Sequence, residues 1–328
     1  TSTQMLSLSE TQIAELPPTQ WAALTSSQIG YLNSDVISSL TSTNLSALTT
    51  TQIKGISSTA LSQLSATQMA ALKSTQLAAL TRTQLTALSA TDVAELTTTE
   101  LAAMSSTMIS SLSTTALQGL SETLIASLSP SQIKGITSTQ CGSLTETQLA
   151  ALTLTQIAAL NITTIQGLAS TTVSALTETQ IDALSPQQLA GLSAVAASKL
   201  TTTQIASLNA TQLSGLTPTQ MSWLKSTAIA ALTPTQMSAL SARQIGSIST
   251  TALSGLGASQ MAQLSSTQLQ GLTTTQVASL RSTALSAATA TPLGAPSIAQ
   301  LRAISSTHFS GLTSTQVPPL SRSPIHAS

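Results

Sequence analysis

Apolar residues recur at two places in every eight residues of this chain. We count each octad so that its position 1 falls on a residue number divisible by eight, beginning at Leu8. Position 1 is then Leu, Ile or Met in 38 of 40 octads, and the exceptions are Ala288 and Pro296. Position 6 is apolar in all 40, from Ile13 to Ile325, without an insertion or deletion. This unbroken phase indicates that every octad occupies the same structural environment.

The polar positions predict one very short helix in each octad. Position 2 is nearly always Ser or Thr, and position 5 is Gln in 23 octads. With position 2 as the N-cap, the Gln of position 5 completes a capping box at N3, and positions 1 and 6 form a hydrophobic staple. Position 3 is then N1, where proline is favoured, and five prolines stand there: Pro18, Pro130, Pro186, Pro218 and Pro234. Nine of the 14 glycines fall at position 8, which predicts that glycine ends the helices.

Two other backbone arrangements fit the octad less well. A continuous helix turns about 100° per residue, so its apolar pair drifts by about 80° per octad and no straight apolar stripe forms. In a strand, positions 1 and 6 point to opposite faces, and neither Gly nor Asn recurs where a turn inside each octad needs it. A β-solenoid stays the alternative to the helical prediction.

A helix of this length needs neighbours, because isolated helices shorter than about 12–15 residues are marginal in water. The chain is therefore predicted to be an all-α solenoid of short capped helices, with two octads in each layer. Small residues at positions 7 and 8 would let neighbouring backbones approach closely. Residues 1–287 are expected to form the regular solenoid. The degenerate octads of residues 288–328 are expected to form a C-terminal cap or an exit linker.

The composition argues against nucleic acids and membranes as partners. Charged residues make up 6% of the chain, and ten basic residues balance ten acidic ones. A neutral chain of this kind has no electrostatic footprint for nucleic acid or for an anionic membrane. No apolar run approaches the roughly 20 residues that a transmembrane helix needs. The chain begins inside an octad and without Met, so we expect either a fragment or a processed piece.

Candidate chemistry is scarce, and the sequence predicts no catalytic, cofactor-binding or metal-binding residues. His308 and His326 are the only histidines, and His308 takes the glutamine position beside Phe309. With so few histidines, no Ser-His-Asp or Cys-His arrangement can be assembled. The single cysteine, Cys141, occupies the apolar position 6 and is expected to be a buried hydrophobe. We therefore expect that the protein is not an enzyme and uses no cofactor.

The aromatic and asparagine residues follow the same octad. Four large side chains at position 6 are predicted to lie in the core: Trp21, Met69, Met221 and Phe309. Tyr31 and Trp223 stand at position 8, where they are either exposed contacts or fill a gap. Three asparagines match glycosylation acceptors: Asn44, Asn161 and Asn209. Asn161 and Asn209 also stand at position 2, where we expect them to act as N-caps.

The "LTxTQIxAL" octads resemble repeat tracts of very large bacterial exported or surface proteins, which are often labelled adhesion or haem-utilisation proteins. The resemblance covers almost the whole chain and is clearest between residues 41 and 287. It implies a long, extracellular structural element. The two histidines give a haem role no support.

These observations predict a non-enzymatic structural repeat protein. We expect an extracellular stalk, spacer or filament-forming segment at a bacterial cell surface, whose partners are copies of itself or other surface components. The alternative is a binding scaffold, either a glycan or receptor adhesin or an ice-binding array, presented by the rows of Ser and Thr at positions 2 to 4.

Overall fold

The computed structural model describes residues 2–7, 9–281, 283–284 and 297–304. This part of the chain consists of helices and short connections and contains no strand. The all-α prediction is confirmed there, and the β-solenoid alternative is ruled out. The chain divides into two compact units, Thr1–Gly167 and Leu168–Ser328. Most of residues 288–328, and with them the predicted cap or linker, lie outside the described residues.

Nearly every octad of the described residues contributes one short helix. Those of the first unit are α1 (Ser2–Leu6), α2 (Glu10–Ala14), α3 (Pro18–Ala23), α4 (Ser26–Gly30), α5 (Ser34–Ser38), α6 (Ser42–Ala47), α7 (Thr50–Ile53), α8 (Ser58–Leu61), α9 (Ala66–Met69), α10 (Ser74–Leu77), α11 (Arg82–Ala87), α12 (Ala90–Ala94), α13 (Thr98–Ala102), α14 (Ser106–Ser111), α15 (Thr114–Gly119), α16 (Glu122–Ser127), α17 (Pro130–Ile133), α18 (Ser138–Ser143), α19 (Glu146–Ala150), α20 (Leu154–Ala159) and α21 (Ile162–Gln166).

The second unit opens with a 3-10 helix, Val173–Ala175. Its α-helices are α22 (Glu178–Asp182), α23 (Pro186–Gly191), α24 (Ala194–Ala197), α25 (Thr202–Ser207), α26 (Ala210–Gly215), α27 (Pro218–Trp223), α28 (Ser226–Ala231), α29 (Pro234–Ala239), α30 (Ala242–Ser247), α31 (Thr250–Leu253), α32 (Ala258–Met261), α33 (Ser266–Gly271), α34 (Thr274–Ser279) and α35 (Ile298–Arg302). None of the described helices is both long enough and apolar enough to cross a membrane.

The helices begin at the predicted capping box. At α11, the N-cap Thr81 has extended backbone angles (φ −75°, ψ 160°). Its Oγ1 accepts a hydrogen bond from the backbone N–H of Gln84 (3.3 Å), while Oε1 of Gln84 accepts one from the backbone N–H of Thr81 (2.8 Å). The same pair of bonds starts helices in both units. The predicted N1 prolines are confirmed as the first helical residues of α3, α17, α23, α27 and α29.

Position-8 glycines are the last residues of α15, α23, α26 and α33, as predicted, but none of these helices ends in a left-handed residue. No described residue has a positive φ. In α11 the chain leaves the helix at Leu88, an extended residue at position 1 (φ −61°, ψ 136°) whose N–H still donates to the carbonyl of Leu85 (3.3 Å). The next N-cap, Ser89, is also extended (φ −87°, ψ 172°). Two extended residues therefore separate α11 from α12, and the chain leaves α11 without glycine.

Helix packing repeats every three octads rather than every two. Within each unit, α11 packs against α8 and α14, α27 packs against α24 and α30, and the other helix pairs follow the same spacing. The expected layer of two octads was wrong, because a helix meets its packing partner only after three octads. Positions 1 and 6 form the core along these contacts, and Trp21, Met69 and Met221 are at most 1% exposed, as predicted. Phe309 lies outside the described residues.

Small side chains at positions 7 and 8 allow these packed backbones to approach closely, as the sequence predicted. A Cβ atom added to Gly55 would lie less than 3.0 Å from backbone atoms of Ser26, the first residue of α4. The same clash with position 3 of the octad three before would occur at Gly119, Gly135, Gly167, Gly215, Gly255 and Gly271. Glycine is therefore needed at position 8 for close approach and not for helix termination.

One octad has a 3-10 helix in place of its α-helix. Its position 2 is Ala169, which has no capping side chain. The N–H groups of Thr172 and Val173 both donate to the carbonyl of Ala169 (3.1 and 3.2 Å), and only the 3-10 helix Val173–Ala175 follows. The missing cap does not explain this by itself, because α32 forms with Gly257 at the same position.

Replacing Ala169 by Ser should add a side-chain N-cap to this octad. A capping hydroxyl contributes about 1 kcal/mol, so Ala169→Ser should raise the free energy of unfolding by about that amount. Slower amide exchange across residues 169–176 should accompany the gain. The matched control is Ala66→Ser, a change at N1 of α9, where Ser65 already caps the helix. Equal effects of the two substitutions would contradict this explanation.

Candidate functional site

The buried glutamines of position 5 are the most regular polar feature of the structure. Gln84 is 2% exposed. Its Oε1 caps the helix at Thr81, and its Nε2 donates to the carbonyls of Ile53 (2.7 Å) and Ile56 (2.8 Å) at the end of the α7 octad. A buried amide is costly unless its hydrogen bonds are made. All the hydrogen-bonding groups of this side chain have partners, so the residue has a structural role.

We call a position-5 glutamine a bridging glutamine when it bonds, as Gln84 does, to the carbonyl of position 6 four octads earlier and of position 1 three octads earlier. The arrangement recurs in both units, at Gln52, Gln76, Gln84, Gln132, Gln140, Gln148, Gln156, Gln204, Gln212, Gln220, Gln236, Gln244, Gln260, Gln268, Gln276 and Gln300. The sequence predicted the capping bond that each glutamine accepts and missed the bridging bonds that it donates.

Shorter residues at position 5 bridge incompletely. Thr164 makes a single bond, from Oγ1 to the carbonyl of Ile136 (2.8 Å). Asn44 is one methylene shorter than Gln, and its buried Nδ2 has no hydrogen-bond partner. This burial also shows that the glycosylation match at Asn44 is unsuited to modification in the folded chain. Asn161 and Asn209 are N-caps, as predicted, and accept from the backbone N–H groups of Thr164 (2.8 Å) and Gln212 (2.9 Å).

Position 8 of each octad is coupled to position 5 of the fourth octad after it. Wherever that position 5 is Gln, the position-8 residue is Ala, Ser or Gly. Larger residues at position 8 stand opposite a residue other than Gln: Glu15, Tyr31, Gln63, Glu95, Lys199, Trp223 and Gln263. The bridging amide lies against the backbone around position 8, where it competes with a long side chain for space. We call this the spacing rule.

The spacing rule predicts a coupled effect at Glu15 and Asn44, which form one such pair. Asn44→Gln combined with Glu15→Ala should raise the free energy of unfolding by about 1 kcal/mol over Glu15→Ala alone, because a bridging glutamine gains bonds to the carbonyls of Ile13 and Leu16. Asn44→Gln alone should give a smaller gain. Denaturation of the four chains gives the coupling energy directly. Equal gains in both backgrounds would contradict the rule.

Of the remaining sequence candidates, the structure describes Cys141. Burial raises the pKa of Cys141 to about 12, so its thiol stays neutral at ordinary pH, and it packs at position 6 as the predicted hydrophobe. His308 and His326 lie outside the described residues. Within the described residues, no three His, Cys, Asp or Glu side chains come together as a metal-binding group.

The two position-8 aromatics are exposed. Tyr31 keeps 44% of its surface accessible and Trp223 keeps 53%. Of the two possibilities left open by the sequence, the structure favours exposed contacts over gap filling. Trp223 also lines a surface groove, which the sequence alone gave no means of finding.

Three surface grooves lie in the same register of the octad. The Trp223 groove has a volume of about 490 Å³ and is lined by Ser222, Trp223, Leu224, Lys225, Ser226, Thr227, Ser249, Thr251 and Ala252. The Glu122 groove is lined by residues at the same octad positions, thirteen octads earlier, among them Ser121, Glu122, Thr145 and Thr147. The same octad positions line the Glu178 groove, with Thr177, Glu178, Thr201 and Thr203. Each groove runs between the starts of two helices that are three octads apart.

Comparisons with known proteins add no family to this description. No family model matches the chain, and no curated protein matches it either. The relationship to bacterial surface repeats therefore stays a prediction from the octads themselves.

Proposed function

We propose that each unit is a solenoid with three octads per turn and that the chain is a non-enzymatic structural segment. The bridging glutamines carry this proposal. Each one ties its octad to carbonyls of the third and fourth octads before it, as at Gln84 and Gln244. A bond that repeats at constant spacing allows octads to be added without a change of structure, which is the property a stalk or spacer needs.

The use of polar groups also supports a structural role. The Ser and Thr of position 2 cap helices, the Gln of position 5 both caps and bridges, and Cys141 is a neutral buried thiol. The polar side chains that recur in every octad thus form hydrogen bonds within the chain itself. Charged residues are few and balanced, so mutual repulsion is weak and self-association through the hydroxyl-rich surface is favoured.

The extracellular location is part of the same proposal. It rests on the likeness of the "LTxTQIxAL" octads to repeats of exported bacterial proteins and on a neutral Ser/Thr surface. An antibody against the folded chain should label intact cells of the source bacterium, and added protease should remove the label. Labelling that appears only after lysis would contradict an external stalk or spacer.

Deletion of whole octads tests the modular architecture. Removing residues 73–80, one octad, leaves every later octad in phase and sets no large position-8 residue opposite a glutamine. The shortened chain should keep its helical circular-dichroism signal per residue and its cooperative unfolding. Removing only residues 73–76 should abolish cooperative unfolding, because it puts apolar positions where polar ones belong. Equal damage from both deletions would contradict a solenoid of interchangeable octads.

A binding scaffold is the second candidate, and the Trp223 groove is the observation that favours it. We favour glycan binding over an ice-binding array. In this structure pairs of exposed hydroxyls, such as those of Thr145 and Thr147 (3.0 Å apart), hydrogen-bond to each other at helix starts, and no flat strand surface carries them in the described residues.

A further inference from the structure

The Trp223 groove departs from the octad consensus at three converging places. Position 8, elsewhere usually Ala, Ser or Gly, is Trp223; position 2, usually Ser or Thr, is Lys225; and position 5, usually Gln, is Ala252. These residues come from three different octads, and all three line one groove. In the Glu122 and Glu178 grooves, position 5 holds the bridging residues Gln148 and Gln204.

The alanine at 252 opens the groove. In a regular octad a glutamine at this place would donate to the carbonyls of Met221 and Leu224, as Gln244 does to those of Leu213 and Leu216 (both 2.8 Å). Alanine leaves that space without an amide and, by the spacing rule, makes room for Trp223. Trp223 itself keeps 53% of its surface accessible, while Ala252 is 1% exposed.

Charge separates this groove from its two counterparts. Glu122 and Glu178 give the counterparts one negative charge each. Lys225 is the single charged residue that lines the Trp223 groove. Within the described residues its ammonium group has no hydrogen-bond or ion-pair partner, so it is available to a ligand. The groove thus combines an aromatic surface, a cation and several hydroxyls, and this combination favours an anionic ligand.

We propose that the Trp223 groove binds one carboxylated sugar residue of a glycan. The apolar face of the sugar ring packs on Trp223, its carboxylate pairs with Lys225, and its hydroxyls bond to Ser249 and Thr251. Small-molecule sites commonly join an aromatic wall to a few placed polar groups in this way. The proposal is independent of the structural role, because a stalk or spacer can carry one binding groove or none.

Fluorescence of the full chain tests the proposal. Trp21 is buried and its indole N–H has no partner, so Trp21→Phe costs no hydrogen bond and leaves Trp223 as the only reporter. Glucuronate or N-acetylneuraminate should change the Trp223 emission in a saturable way, and the two arms distinguish uronic acid from sialic acid glycans. Glucose at the same concentrations should bind about fivefold more weakly or not at all, as expected for the loss of one exposed ion pair. Saturation-transfer NMR on the unmodified chain should give the same ranking.

Variants that return the groove to the consensus make the test specific. Lys225→Thr should weaken binding of the acidic sugar about fivefold and bring it to the level of glucose. The double change Trp223→Ala and Ala252→Gln should abolish binding while raising thermal stability, so that misfolding cannot explain the loss. The matched control, Tyr31→Ala with Ala60→Gln, restores the consensus at the other aromatic position and should leave binding unchanged. Absence of saturable binding by either acidic sugar, or loss of binding in the control, would overturn the proposal.

Discussion

Replacing Gln84 by Ala should lower the free energy of unfolding by about 3 kcal/mol. The substitution removes one capping bond and two bridging bonds, each contributing about 1 kcal/mol. The Ile53 carbonyl keeps only the Ile56 N–H as a donor. Chemical denaturation followed by circular dichroism measures the loss. Amide exchange should rise in α7 and α11, which the glutamine ties together.

Gln28 provides a matched control for this prediction. Its Oε1 accepts from the backbone N–H of Thr25 at 2.8 Å and from the Thr25 hydroxyl at 3.0 Å, the same distances as for Gln84 and Thr81. This sequence contains no residue at the bridging spacing before Gln28, so this glutamine caps without bridging. Gln28→Ala should cost about 1 kcal/mol. Equal losses at Gln28 and Gln84 would show that the bridging bonds contribute nothing.

Replacing Gly135 by Ala should lower the free energy of unfolding by about 2 kcal/mol, within the range for overpacked sites. The added Cβ would lie under 3.0 Å from three backbone atoms of Ser106, and backbone atoms cannot rotate away as a flexible side chain can. α14 and α17 would have to move apart, and thermal denaturation should record the loss. The effect is bounded because other octads accept Ala at position 8.

Gly257 supplies the control of opposite sign. It stands at position 2 with φ −88°, and a Cβ there would meet only Oε1 of Gln260, at 3.6 Å. Gly257→Ala should leave stability unchanged or raise it by a few tenths of a kcal/mol, because alanine restricts the unfolded chain. A loss at Gly257 as large as that at Gly135 would mean that backbone freedom, and not close approach, explains the position-8 glycines.

The sequence predicted the local structure well, because its signals act within one octad. A Thr followed three residues later by Gln, as at Thr81 and Gln84, specifies where a helix begins whatever lies around it. Burial of positions 1 and 6 follows from the same octad. The number of octads in a turn depends on contacts between octads that are distant in sequence, which the pattern within one octad does not describe, and the two-octad layer was wrong for that reason.

A longer-range signal was nevertheless present in the sequence. The spacing rule links positions in octads that are four apart, and Trp223 with Ala252 is one of its cases. The position-7 glycines give another: Gly30, Gly142 and Gly246 each lie three octads before a position-8 glycine, and their backbones meet there. Either pattern indicates a return of the chain after three octads. The Trp223 groove combines residues from helix starts that are three octads apart, so it was recognisable only once that spacing was known.

The bridging bonds all point the same way along the chain, from a later glutamine to earlier carbonyls. During synthesis on a ribosome, every acceptor is therefore already made when its donor emerges. A new octad needs only the four octads before it to complete its bonds, which keeps the closing loops short and of low entropic cost. Such a chain is suited to fold progressively from its first octads onward, without waiting for its last ones.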